Sequence, residues 1–365
     1  MTPGERFVRC LAGQSVDRIP YGVGIGWIPW GGGLARWRAE SGRSDLDPAQ
    51  EFGFDLSCAA PALNAGIFPP FERREIADEG DLVVFRDERG ITARGRKDGC
   101  SMPEFLEYPV RTREDWEQLK VERLDPDTPG RVVEDWPAFR ERLRRTGEAV
   151  QVGWFPFGVF GTPRDLLGVE ALLVGFYETP ELIRDMMEHL TSLWISLWER
   201  VAREVRIDHI HIWEDMSGRQ GSLISPAMVR AFMMPCYDRI AAFAREAGVR
   251  LISVDTDGDC SELVPIMMEH GVNVFFPFEV QAGNDIREYR RRYPNLGIMG
   301  GLDKRALARM RADVDREVAR AAEMARLGGY IPGFDHLIPP DVPWENFRYA
   351  AERLKEICYT TTIRG

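Results

Sequence analysis

The chain has 365 residues, of which 44% are hydrophobic, and its 58 acidic against 47 basic side chains leave a formal net charge of −11. That composition supports a large core, and the acidic balance argues against nucleic acid as the main partner. The six cysteines are scattered with no C-x-x-C pair, the first residues do not read as a signal, and no stretch reaches membrane-spanning length, so a reduced, cytoplasmic protein without membrane contact is expected.

Residues 3–12 predict a short amphipathic helix with Phe7, Val8 and Leu11 inward, followed by a turn over Ser15–Pro20. Tyr21–Ile25 predicts a first strand, the glycine-rich stretch 27–33 a loop, Leu34–Glu40 a short helix and Phe54–Ala59 a second strand. From Arg73 to Lys97 the pattern changes. Two apolar runs, Leu82–Phe85 and Ile91–Gly95, flank Asp87-Glu88-Arg89-Gly90 and predict an inserted β-hairpin. A helix near Thr112–Leu119 and another over Trp136–Thr146 come next, then a buried strand over Ala149–Trp154 with Trp154 in the core.

The alternation is regular thereafter. Pro180–Val205 predicts a long helix capped by Thr179. Strands over Ile207–Trp213, Arg250–Val254, Val272–Phe276, Leu296–Met299 and Gly329–Ile331 are separated by helices over Ser225–Ala247, Cys260–His270, Asp285–Arg292 and Val314–Leu327, and Pro343–Ile357 closes the chain. About eight strands alternating with helices predict an α/β fold, a (β/α)8 TIM barrel over residues 1–365 as one domain, with the hairpin excursion at 73–97 and extra N-terminal helices. A doubly wound open sheet is the competitor. It lacks the phosphate-type glycine loop after the first strand.

In a barrel the chemistry sits at the C-terminal ends of the strands. Those ends deliver Glu214 and Asp215, then Asp255 and Asp257, Glu279, Asp303, and Asp335 with His336. Ser253, Asp255 and Asp257 share one strand face because side chains alternate. A calcium loop is excluded there, since Gly258 comes too early and Ile266 stands where a bidentate Glu is needed. His209 and His211 lie two apart on one strand, a spacing that can bind a metal; His209 is expected to be packed in the core, whereas His211 is nearer the rim. His189 and His270 fall in helices and read as surface or packing residues. His336, in a glycine- and proline-bounded loop, suits acid/base work or hydrogen bonding to a substrate. Trp27, Trp30, Trp154, Phe155 and Phe157, interleaved with Gly and Pro, could line a flat apolar pocket, although core is the expected place of Trp154.

Six further blocks carry a resemblance over nearly the whole chain: S-V-D-R-I-P at Ser15–Pro20, F-G-F-D-L at Phe52–Leu56, F-G-V-F-G-T-P at Phe157–Pro163, W-E-D-M-S-G at Trp213–Gly218 with L-I-S-P at Leu223–Pro226, G-G-L-D-K-R at Gly300–Arg305, and H-L-I-P-P-D-V-P-W-E-N at His336–Asn346. With these the sequence resembles the uroporphyrinogen decarboxylase superfamily, which also contains corrinoid-dependent methyltransferases. The resemblance implies a (β/α)8 barrel with its site in the deep C-terminal mouth. Departures indicate the branch. The segment matching the decarboxylases' carboxylate-binding arginines, Ile25–Trp30, has no arginine; the place of their catalytic aspartate falls on Ala62 and that of their tyrosine on Val169; their D-S-W reads Glu214-Asp215-Met216; only the C-terminal histidine matches, as His336. The methyltransferase branch holds zinc with H-x-C on the strand that here reads Asp255-x-Asp257, without a cysteine.

The resemblance therefore implies an enzyme of the methyltransferase-like branch, moving a methyl group between a small methylated compound and a corrinoid protein, with decarboxylation of another carboxylate or a non-catalytic binding barrel as alternatives. On this reading His336, Asp215, Glu214 and Asp257 are candidate catalytic groups. His211, Trp27, Glu279, Asp303 and Asp335 are candidate substrate-binding groups. Asp255 and Asp257 are candidate ligands to a divalent metal, zinc or one preferring oxygen donors.

Overall fold

The computed structural model describes residues 1–99 and 101–363. Its centre is a seven-stranded sheet. In chain order the strands are β1 (Cys58–Ala59), β2 (Ala149–Gly153), β3 (His209–Trp213), β4 (Leu251–Thr256), β5 (Val274–Pro277), β6 (Gly297–Met299) and β7 (Tyr330–Ile331). Neighbours in the sheet follow chain order and every pair is parallel. Each crossover carries helix, which covers the sheet and explains why β4 and β5 are buried at every residue. Register fixes the rim: Ser253 lies opposite His211, and Asp255 lies between Trp213 and Phe276.

The predicted first strand does not form. Gly22 and Gly24 have φ of 74° and 92°, outside the strand region, and Ile25–Trp27 is a 3-10 turn. This irregular segment still fills the wall between β7 and β1. Tyr21 accepts from the Asp55 amide (2.9 Å) on one side, and the Trp27 indole donates to the Pro332 carbonyl (3.2 Å) on the other. The ladder is thus that of a TIM-like fold with seven strands where about eight were predicted.

Helix α1 (Pro3–Leu11) plugs the N-terminal end of the sheet. Phe7, Val8 and Leu11 are buried, and the Phe7 ring lies 5.5 Å from His209 at the start of β3. Burying a side chain such as Phe7 is worth about 2 kcal/mol. Close approach needs Gly4, whose added Cβ would fall 2.1 Å from the Ala149 amide nitrogen.

The excursion is larger than a hairpin. Strands at Arg74–Glu79, Leu82–Arg86, Thr92–Arg96 and Glu104–Glu107 form a four-stranded antiparallel sheet, of which the predicted hairpin is the middle pair. Its turn is held by Asp87, which accepts from the amides of Arg89 and Ile91. Two helix details also differ from expectation. Thr179 stands at the N-cap of Pro180–Glu204 as expected, but its hydroxyl makes no capping bond and donates instead to the Gly175 carbonyl. The helix predicted over 225–247 widens into a π turn at Val229–Met233, just before Pro235, which has no amide to donate. Among the described residues no helix is long and apolar enough to cross a membrane.

Candidate active site

Backbone strain marks the mouth. Among the described residues, the non-glycine residues with positive φ are Trp154 (76°), Asp215 (43°) and Phe278 (61°), and each follows the C-terminal end of a parallel strand, β2, β3 and β5. Such conformations cost about 1–3 kcal/mol each and persist where a site needs them. Gly153 makes the first possible. Its φ is 100°, and a Cβ there would lie 1.9 Å from the His211 carbonyl oxygen. β2 therefore ends pressed against β3, and the Trp154 ring stacks on His211 at 4.7 Å with 19° between planes. Trp154 is 40% exposed, so it walls the mouth and is not core as predicted.

Alternation on β4 points Ser253 and Asp255 the same way. The Ser253 hydroxyl bridges two buried imidazoles, 2.7 Å from His209 Nε2 and 2.6 Å from His211 Nδ1. Its single proton serves one ring, so the other ring must donate to its oxygen. His211 Nε2 lies 3.7 Å from Asp255 Oδ2 and has no hydrogen-bond partner. A lone pair facing a carboxylate would be repelled. The network therefore assigns the proton to His211 Nε2, with Ser253 donating to Nδ1 and His209 donating to Ser253. Burial and the neighbouring His211 hold His209 well below the ordinary imidazole range, so it is neutral. Both histidines, with Gln151, Trp154, Phe276 and Met299, line a cavity of about 280 Å³.

Beyond β4, Asp257 Oδ2 is 3.5 Å from His336 Nε2. Burial pushes the Asp257 carboxyl up to about 8, reinforced by Asp255, Asp215 and Glu279 and opposed by Lys304. Its side chain still keeps 37% of its exposure, open to the mouth. His336 is shifted down by burial and then by Lys304. The Lys304 ammonium lies 3.5 Å from Glu279 and 3.7 Å from Asp335. Asp335, fully buried, accepts from the amides of Val280 and Lys304, and Glu279 accepts from the Gly258 amide. Asp335 thus joins the loops after β5, β6 and β7 and positions Lys304. Asp215 pairs with Arg164 at 2.5 Å, and that guanidinium also binds the Asp215 carbonyl.

The structure therefore brings together His211, Asp215, Asp255, Asp257, Glu279, Asp335 and His336. It does not bring Glu214, Asp303 or Trp27 to them. Glu214 is completely buried and saturated: its carboxylate accepts from the amides of Val159, Phe160 and Gly161 and from the Tyr237 hydroxyl. Burial pushes it up to about 7 against those donors. It clamps the loop before helix Gly161–Leu167, while Asp215, in a left-handed backbone with φ of 43°, turns to Arg164. Asp303 caps the following 3-10 turn and is held by the amide and guanidinium of Arg305. Trp27 is 2% exposed and packs among Tyr21, Phe54, Phe334 and Phe347. Strand alternation places Ser253 on the face of Asp255 but gives no sign that it bridges two imidazoles, and Arg164 and Lys304 are cations that sequence reasoning did not assign to the site.

Asp255 and Asp257 do not fit a resident metal centre. Among the described residues no three His, Cys, Asp or Glu side chains converge in a way that could hold an ion. The nearby Cys260 thiol is buried, faces Asn284 and Tyr289, and is pushed up by burial to about 12, so it supplies no thiolate. Chemically, the mouth offers a carboxyl group that holds its proton at neutral pH, an imidazole beside it, and a strongly acidic lining.

Comparison with known proteins agrees with this placement. The family model described as "Uroporphyrinogen decarboxylase (URO-D)" matches residues 80–357. A uroporphyrinogen decarboxylase of Syntrophotalea carbinolica is 26% identical over 255 residues, covering 68% of this chain and 70% of that protein. One from Pelobacter propionicus is 24% identical over 375 aligned positions, covering 96% and 98%. Among solved structures, a methyltransferase from Methanosarcina mazei superposes with a TM-score of 0.59 at 15% identity, covering 98% of this chain and 99% of its own, and so shares the fold. With three quarters of its length matched by the family model, from the second strand of the antiparallel excursion to the last helix, the chain belongs to the uroporphyrinogen decarboxylase family.

Proposed function

We propose that this family member is a methyl-transferring enzyme, moving a methyl group between a small methylated compound bound in the mouth and a corrinoid carried by a partner protein. The observation that carries this reading is the charge of the mouth. The carboxylates of Asp215, Asp255, Glu279 and Asp335 outnumber the cations Arg164 and Lys304, each of which is already engaged by a carboxylate. A polycarboxylate tetrapyrrole entering it would meet like charge in a poorly solvated space. Methyl transfer to a strong nucleophile needs little proton transfer. The chain's residues would bind the methylated compound, orient its methyl group outward and exclude water. His336 and Asp257 would supply or hold a proton where the leaving group needs one.

One observation favours a second reading. The relatives found by sequence are named uroporphyrinogen decarboxylases, and a neutral Asp257 beside His336 could protonate the carbanion left by carbon dioxide loss from a smaller carboxylate. Incubation with cob(I)alamin and candidate methyl donors separates the two. Methylcobalamin formation without carbon dioxide release supports methyl transfer. Carbon dioxide release from a carboxylate, independent of corrinoid, overturns it.

A further inference from the structure

The acidic mouth has an aromatic wall and an unused donor, and these three features together define a ligand. We infer that the mouth binds a small methylated ammonium cation carrying one hydrogen-bond-accepting oxygen. This rests on the mouth being the substrate site and names the class of compound it takes. The ammonium end is recognised by the Asp255 carboxylate, beside His211 on which the half-open ring of Trp154 is stacked. Carboxylates with an indole face form the usual chemistry for such cations, which cannot donate hydrogen bonds and are weakly hydrated.

The oxygen end is recognised by His211. This side chain is 4% exposed, and its Nε2 is a buried polar atom without a partner. Its separation from Asp255, 3.7 Å, is too long for a hydrogen bond and leaves the proton unused. Ser253 holds the other ring nitrogen, so the Nε2 donor is fixed in place before a ligand arrives. Buried donors are rarely left unpaired, and an oxygen of the ligand would satisfy this one.

The groups facing the ammonium have no cation of their own to spare. Arg164 serves Asp215, and Lys304 serves Glu279 and Asp335. A divalent metal is the rival occupant, but the carboxylates and imidazoles do not converge as three ligands to one ion.

Isothermal titration of the full-length chain tests this, with choline as the probe and its neutral isostere 3,3-dimethylbutan-1-ol as control. Choline is expected to bind, with the isostere weaker by at least about tenfold, since only the charge differs. Tetramethylammonium, which keeps the charge but lacks the oxygen, is expected to fall between them. Asp255→Asn and Trp154→Leu should each weaken choline by about tenfold. Equal binding of choline and the isostere, or saturable zinc or magnesium binding with none of choline, would overturn the inference. Binding is read without turnover or corrinoid. Choline binding without methyl transfer would sink the proposed reaction alone, and methyl transfer from a neutral compound without choline binding would sink this inference alone.

Discussion

Replacing Glu214 by alanine separates a structural carboxylate from a catalytic one. The side chain is completely buried and accepts from three amides and the Tyr237 hydroxyl, at 2.6 to 3.1 Å. Truncation leaves those donors without partners in a site shielded from water. A lost bond of this kind costs about 1–3 kcal/mol, and water entering the space left behind recovers part of it, so the variant should lose about 4 kcal/mol. For a chain of this size that corresponds to a fall in melting temperature of roughly 5 °C. Tyr237→Phe removes one donor and should cost about 1 kcal/mol. The pH dependence gives an independent reading. The folded carboxyl sits near 7, above its ordinary value of 4.5, so the folded state binds more protons. Its contribution to stability is complete below about 4.5 and is lost as pH rises through about 7. Thermal and urea melts across that window should show this loss in the wild type and its absence in Glu214→Gln. A Glu214→Ala protein that melts like the wild type yet is inactive would refute the clamp and return Glu214 to the catalytic set.

Ser253→Ala removes the bridge between His209 and His211 and should destabilise by about 2–3 kcal/mol, with the His211 ring nitrogens in NMR spectra no longer showing a single Nε2-protonated form; an unchanged spectrum would refute the assigned network. Lys304→Met takes a cation away from Asp257 and His336, so both should hold their protons to higher pH, moving the Asp257 limb of a pH profile upward from about 8 and the His336 NMR titration upward as well. Gly153→Ala places a Cβ 1.9 Å from the His211 carbonyl in a left-handed backbone, and should cost more than about 3 kcal/mol in urea denaturation.

Much of the fold was legible because buried parallel strands read as short apolar runs between helices, as β3, β4 and β5 do. Tyr21–Ile25 has the same apolar character, but its glycines take conformations that a strand cannot use. The outer excursion strand Arg74–Glu79 is exposed at every residue, so it has no apolar face for a pattern to reveal. The site shows the same division. Alternation places Ser253 with Asp255, and strand order places Glu279, Asp335 and His336 on one rim. A left-handed backbone at Asp215 separates it from Glu214, neighbours in sequence with opposite fates. The pairing of Arg164 with Asp215 and of Lys304 with Glu279 joins distant loops, which no local pattern encodes. Acidic residues at strand ends thus predicted the place better than the roles.

The most direct test of the proposed reaction is a competition between two chemistries in one purified protein. The chain is incubated with cob(I)alamin and a methylated ammonium compound, and separately with uroporphyrinogen, following methylcobalamin and carbon dioxide in each. The account predicts methylcobalamin formation that falls sharply in Asp257→Asn, with no carbon dioxide released from uroporphyrinogen. Carbon dioxide release from uroporphyrinogen, with cob(I)alamin left unmethylated, would contradict it.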